Sequence, residues 1–152
     1  MQFFLSKAMA MARVPARGYV LLCREWSTEG GATARGILDP QLRVWRLGEE
    51  FSFDVVFFFG PGIAAGVYSL AIQVRSPQGA VYRRELGMWD HENPHRQWTV
   101  ALALQLQVSR PNLGDWVFEG WLGEVCIATT CLEVLYINVA AVVPSLRLGL
   151  SG

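Results

Sequence analysis

The sequence predicts an all-β protein, an antiparallel β-sandwich of seven to nine strands with apolar extensions at both ends. A two-residue alternation of apolar and polar side chains recurs along the chain, as in residues 66–75 and 98–108. Because a β-strand sends successive side chains to opposite faces, this alternation is typical of half-buried strands. Glycine and proline groups separate the segments, and helical periodicity is almost absent. Two packed antiparallel sheets are therefore expected.

Each predicted strand is an alternating apolar segment that ends at a turn-forming group. Residues 1–17 are an N-terminal extension with a short helix over 5–12, and residues 18–137 are the sandwich domain. Strands are expected at 18–26, in a pair across 32–47 broken at Asp39-Pro40, and at 51–59, 66–75, 80–86, 97–108, 116–121 and 124–137. Polar loops are expected at 87–96 and 110–114. Residues 138–152 are an apolar C-terminal tail.

The segment 51–59 is the most apolar strand, with phenylalanine or valine at every odd position. Its second face carries Val56 and Phe58 beside Ser52 and Asp54. A sandwich strand normally exposes its second face to water, so two large apolar residues there need a cover. Either a terminal extension caps them, or they belong to a contact surface.

The composition is rich in apolar residues and poor in charge. Hydrophobic residues make up 52% of the 152 and charged residues only 17%, with thirteen basic and thirteen acidic side chains cancelling. So little charge indicates either cover by a partner or modest solubility. The balance leaves no field to attract nucleic acid or anionic lipid. No segment reaches the roughly 18 apolar residues of a membrane helix. The first residues lack the order of a signal peptide, so a cytoplasmic location is expected.

One segment, from His91 to His95, fits the H-E-x-x-H pattern of zinc peptidases. That pattern works on a helix, where one turn brings both histidines to the same face. Pro94 lies inside the supposed helix and removes a hydrogen bond, so a solvated loop is the preferred interpretation. No metal is therefore predicted. The residues that would hold an adventitious or structural metal ion are His91, His95 and Asp90. A less favoured metal-dependent hydrolase would use His91, Glu92 and His95.

The rest of the chain indicates no catalytic or cofactor-binding residue. Gly60-Pro61-Gly62 follows an apolar strand, as a dinucleotide-binding loop would, but the residues after it alternate as a strand and do not open a helix. The three cysteines, Cys23, Cys126 and Cys131, are interpreted as free, small apolar residues, with a disulfide between two of them as the alternative. No cofactor is expected.

Tryptophan is the one abundant residue type that suggests a ligand. There are six, and Trp116 and Trp121 are predicted on opposite faces of the last hairpin. Exposed tryptophan stacks on sugars or anchors protein contacts. The preferred interpretation places the tryptophans in the core and at the rim of the sandwich. A small-ligand or carbohydrate-binding module using Trp89, Trp98 or Trp121 is the alternative.

Four segments carry a family resemblance: Tyr19–Cys23, Gly66–Val74, Ser76–Gly79 and Gly114–Glu124. Their order resembles an uncharacterised bacterial family of small, single-domain, immunoglobulin-like β-sandwich proteins, over about residues 18–135. The resemblance implies an immunoglobulin-like sandwich. It implies no activity and no functional residues, because fold analogy does not establish function.

The expected function is that of a non-enzymatic interaction or assembly subunit, because its apolar ends are hard for a weakly charged monomer to hide. Its partners would be identical or different protein subunits, reached in one mode by adding a strand to a neighbour's sheet. The expected contact residues are Phe3, Phe4, Leu5, Val56, Phe58, Trp121, Val142, Leu146 and Leu148.

Overall fold

The computed structural model of the protein describes residues 17–137. This part of the chain contains nine β-strands, one short 3-10 helix and no α-helix. The strands are β1 (Gly18–Ser27), β2 (Thr33–Ile37), β3 (Gln41–Val44), β4 (Glu50–Phe59), β5 (Gly66–Arg75), β6 (Val81–His91), β7 (Trp98–Gln107), β8 (Gly114–Leu122) and β9 (Val125–Tyr136). The 3-10 helix, Arg110–Asn112, lies in the loop predicted at 110–114.

The strands form two sheets that pack face to face. The four-stranded sheet has the order β2-β1-β4-β7, and the five-stranded sheet has the order β3-β9-β8-β5-β6. Every pairing is antiparallel except that of β3 with β9. The antiparallel β-sandwich predicted from the alternation is confirmed. Between Ile37 and Gln41 the chain crosses from one sheet to the other, which covers that side of the sandwich.

The core lies between the sheets and is centred on β4. Phe53, Val55, Phe57 and Phe59 occupy the odd positions of this strand and are at most 3% exposed. Phe118 of β8 packs against them from the opposite sheet, edge to face with Phe53. Burying each such side chain contributes roughly 1.5–3 kcal/mol. The alternation of β4 thus supplies the largest single part of the core, as predicted.

Strand β6 is longer than predicted, and the polar loop expected at 87–96 is wrong for residues 87–91. The register shifts opposite Leu70 and Ala71, where Gly87 has a φ of +93°. This bulge moves the inward-facing positions from even to odd numbers. Leu86 packs against the core before the shift and Trp89 packs against it after the shift. The break in phase is what makes this stretch look like a loop in the sequence.

The other strands agree with the prediction to within three residues at either end, including the break around Asp39-Pro40. The hairpin of 66–75 with the strand after it is the β5–β6 pair. The helix expected over 5–12 and the C-terminal tail at 138–152 lie outside the described residues. The domain boundaries at 17 and 138 therefore stay predictions.

Candidate interaction surface

Among the described residues, the two sheets do not close over the core on one side. β7 is the outer strand of one sheet and β6 the outer strand of the other, and each has a single strand partner among residues 17–137. Between them lies a cleft of about 820 Å³, here called the open groove. Its apolar lining comes from both sheets: Phe53, Ile72, Val74, Val81, Tyr82, Leu102, Leu104, Leu106, Trp116 and Phe118. Its volume falls in the range of ligand-binding clefts.

The open groove exists because β6 supplies too little apolar cover for β7. On β7 the leucines at 102, 104 and 106 all face inward, yet only Leu106 is buried. The residues of β6 at this end include Tyr82 and Arg84, where a closed sandwich would place core side chains. Tyr82 remains 62% exposed and Val81 54% exposed. Core-facing residues of β7 thus stay accessible along the length of the groove.

Polar groups at the rim are mostly engaged with the protein itself. The Trp116 indole Nε1 donates to the Asn112 carbonyl at 2.9 Å, and the Asn112 amide donates to the Gln107 carbonyl at 2.7 Å. Arg83 lines the groove with part of its chain, but its guanidinium bonds Glu85 on the outer face. Arg84 pairs in register with buried Ile72 and forms no ion pair within the described residues.

The outer face of the five-stranded sheet carries a hydrogen-bonded polar cluster around Glu119. This carboxylate is only 8% exposed and accepts from Arg75 Nη2 at 2.6 Å and Gln73 Nε2 at 3.0 Å. Arg83 extends the cluster by donating to the Gln73 side-chain oxygen. Its guanidinium also lies 5.3 Å from the ring centre of Trp121.

Trp121, a predicted contact residue, is half-buried in this cluster on the face opposite Trp116, as the alternation predicted. Its Nε1 is buried and has no hydrogen-bond partner among the described residues. A buried indole N–H normally has one, so this atom costs folding free energy as it stands. The contact role of Trp121 stays a prediction.

The second face of β4 is buried rather than open. Val56 is 0% and Phe58 is 7% exposed, and they form a separate cluster with Cys23. The ring of Tyr19 stacks on Phe58 at 4.3 Å, and the ring of Trp26 meets it edge to face at 5.7 Å. Side chains of the same sheet thus cover Val56 and Phe58. The sequence predicts only a terminal extension or a contact surface there. Tyr19, which stacks on Phe58, is itself half-exposed to solvent.

The histidine segment is not built as a metal site. His91 ends β6 with its ring 1% exposed, and its Nε2 lies 2.9 Å from the Ile63 carbonyl oxygen. Within residues 17–137 its Nδ1 has no hydrogen-bond partner, and Nε2 carries the proton donated to the carbonyl. Asp90 and His95 are exposed, and residues 92–97 form the expected loop. Within residues 17–137 no three His, Cys, Asp or Glu side chains are placed to hold a metal ion.

The three cysteines are free thiols in the structure. Burial raises the pKa of Cys23, and Asp54 raises it further. Burial also raises the pKa of Cys126 and Cys131, with the acidic neighbours Glu119 and Asp115 adding to the effect. A thiol is nucleophilic as its thiolate, so these environments oppose reactivity.

Two of the three tryptophans proposed for a carbohydrate site, Trp89 and Trp98, pack inward, whereas Trp121 lies on the outer face. Trp89 and Trp98 contact each other with ring centroids 5.2 Å apart, and both pack against the main core. Trp45 is the most exposed of the described tryptophans, at 58%, and it follows the short strand β3. The structure brings Trp89 and Trp98 together but does not present them as an open stacking platform.

The contact residues at the two ends of the chain are not placed by the structure. Phe3, Phe4, Leu5, Val142, Leu146 and Leu148 lie outside residues 17–137. The open groove itself was missed from the sequence. A signal for the groove is present in the sequence at Tyr82 and Arg84. These residues occupy inward-facing positions of β6, opposite the apolar residues Val74 and Ile72 of β5.

No protein-family model matches the chain, and no curated protein matches it. Among solved structures, it is similar to the alkylpurine DNA glycosylase AlkC of Pseudomonas fluorescens bound to DNA containing an abasic site analogue. The identity is 11% and the TM-score 0.44, over 84% of this chain. The match covers 33% of that glycosylase chain, so this chain spans about a third of its length.

A second similar structure is an immunoglobulin-like protein from Pseudomonas aeruginosa, at 13% identity and a TM-score of 0.34. The match covers 80% of this chain and 100% of that one. Its description agrees with the resemblance noted from the sequence. Because both TM-scores lie below 0.5, neither likeness carries an argument. The fold assignment rests on the strand order and register given above.

The described residues include no helix that is long and apolar enough to cross a membrane.

Proposed function

We propose that the protein is a non-enzymatic interaction subunit that binds an extended segment of a partner protein in the open groove. The observation that carries this proposal is the position of the groove between β6 and β7, whose outer edges have no strand partner among residues 17–137. Such an edge presents unpaired N–H and C=O groups that an added strand satisfies. The half-buried leucines of β7 offer apolar area to the side chains of that strand.

The absence of catalysis is part of the proposal. His91 is committed to the Ile63 carbonyl and to packing against Trp89, and the three thiols have raised pKa values. These side chains support a structural role for the groups that the sequence offers for chemistry. Self-association through the apolar termini, expected from the sequence, remains a second means of contact within the same function.

Selection of random peptides on the immobilised full-length chain tests the proposal. Peptides that bind wild-type protein should lose binding to Leu104→Lys, which places a charge in the groove. Val67→Lys, a change at a residue exposed outside the groove, should leave binding intact. Circular dichroism and thermal melting establish that both variants fold. Equal binding of the selected peptides to Leu104→Lys and to wild type would refute the groove as the binding element.

A further inference from the structure

The charged side chains that line the open groove are of one sign, while the Glu50 carboxylate beside it accepts a hydrogen bond from the lining Gln105 at 2.7 Å. Of the fifteen residues that line it, two are arginine and none is aspartate or glutamate. Three more, Gln105, Gln107 and Asn112, are neutral amides. The protein as a whole is neutral, so this local excess is a property of the groove and not of the chain.

Among the described residues, Arg84 is the groove-lining cation that forms no ion pair. Arg83 gives its guanidinium to Glu85 at 2.7 Å and lies over Trp121 on the other face of the sheet. Arg84 stands in register with Ile72, which is core-facing, and it lines the groove while remaining exposed to solvent. Within the described residues no carboxylate pairs with it.

The terminal segments of the chain are poor candidates to fill the groove. Residues 1–16 carry Lys7 and Arg13, residues 138–152 carry Arg147, and neither segment contains an aspartate or glutamate. Neither segment offers a carboxylate side chain to Arg84, and each carries a cation of its own. Like charges at short range oppose binding, so the charge pattern disfavours the chain's own ends and those of a second copy.

We infer that the partner segment is an extended, alternating apolar strand that carries an acidic residue opposite Arg84. This inference rests on the proposed function and names the chemistry of its partner. Apolar side chains on one face of the segment pack on Leu102 and Leu104. A carboxylate at the mouth forms a bidentate pair with the guanidinium, which suits the planar geometry of arginine.

Three soluble octapeptides of alternating valine and threonine, blocked at both ends, test the inference. They carry glutamate, glutamine or lysine at one central threonine position and are otherwise identical. Binding to the full-length chain is followed by the intrinsic fluorescence of its six tryptophans, of which Trp116 lines the groove, and by titration calorimetry. The glutamate peptide should bind roughly threefold to fivefold more tightly than the glutamine peptide at low salt, and the lysine peptide most weakly. The difference should shrink as salt is raised.

Arg84→Glu should reverse the order of the glutamate and lysine peptides. Arg35→Glu, an equal charge change at an exposed position on β2, should leave the order unchanged. Lysine binding as well as glutamate, or an unchanged order in Arg84→Glu, would overturn the inference and leave the groove-binding proposal standing. Binding of none of the three peptides would count against both. Tighter binding of free decanoate than of any peptide would assign the groove to small amphiphiles and also overturn the inference.

Discussion

The indole of Trp89 lies against the imidazole of His91, with ring centroids 4.2 Å apart. Both side chains face inward after the bulge at Gly87, and Trp98 packs on the same indole from the opposite sheet. The bulge thus turns two residues that look like loop residues into the packing that closes one end of the core.

His91→Phe should destabilise the fold, because it keeps the ring but leaves the buried Ile63 carbonyl without its donor. An unpaired buried acceptor costs about 1–3 kcal/mol, and urea denaturation measures the loss. His95→Phe serves as the control, since His95 is exposed and should change the free energy of unfolding by less than about 0.5 kcal/mol. Equal effects of the two changes would remove the structural role given to His91.

Arg75→Ala should destabilise the protein by about 1–2 kcal/mol, because it leaves the buried Glu119 carboxylate with Gln73 as its main partner. The loss of stability is smaller than for a fully buried ion pair because Arg75 is 46% exposed and solvent screens the interaction. A double-mutant cycle with Glu119→Gln isolates the coupling between the two side chains. Additive effects in that cycle would show that the pair is not energetically coupled.

Gly60→Ala should cost more stability than Gly79→Ala, although both glycines have a φ of +87°. A Cβ at Gly60 would lie 2.7 Å from the Arg96 carbonyl oxygen, whereas a Cβ at Gly79 meets nothing within 4 Å. The Gly79 variant therefore reports backbone strain alone, about 1–2 kcal/mol. The Gly60 variant adds a steric clash to that strain. Similar melting temperatures for the two variants would contradict this placement.

Alkylation by iodoacetamide at pH 7.5 should be slower for folded Cys131 than for a free cysteine, because the raised pKa lowers its thiolate fraction. Buried Cys23 should react only after unfolding. The raised pKa of each thiol also makes the free energy of unfolding depend on pH. The folded state holds these protons more tightly, so their contribution is present at neutral pH and is lost as the pH rises into the alkaline range. Peptide mass mapping after timed alkylation measures the three rates. Rapid labelling of Cys131 at neutral pH would contradict its described environment.

Deletion of residues 1–16 or 138–152 should lower the mass measured by light scattering, if the predicted self-association through the termini holds. The full chain is expected above its monomer mass of 16.9 kDa. Tyr82→Lys, a change at the rim of the open groove, separates association through the groove from association through the ends. A full chain that runs as a monomer would remove self-association while leaving binding of another protein in the groove untouched.

The sequence predicts the strands well wherever the alternation is unbroken, because burial of one face is a local pattern. β4 and β5 show this most clearly, and so do the opposite faces of Trp116 and Trp121. The same logic fails at Gly87, where one extra residue reverses the phase of the strand. A single sequence does not signal such a bulge unless the positive φ of its glycine is already known.

Which strands share a sheet, and which side chains cover one another, depends on contacts between residues far apart in the sequence. Periodicity does not encode such contacts. The cover of Phe58 comes from Tyr19 and Trp26, more than thirty positions earlier in the chain. The open groove likewise follows from β6 and β7 lying on the same side of different sheets. Each strand is predictable alone, but the gap between them is not.

The connection between β2 and β3, from Ile37 to Gln41, limits the geometry of any complex. On that flank the outer strands β2 and β3 are only five and four residues long and belong to one continuous run of chain. Short outer strands resist further pairing. A molecule whose pairing edges lie on one side only binds one partner segment there and offers no second edge to another molecule. Complexes formed through the groove should accordingly have a fixed stoichiometry rather than grow into filaments.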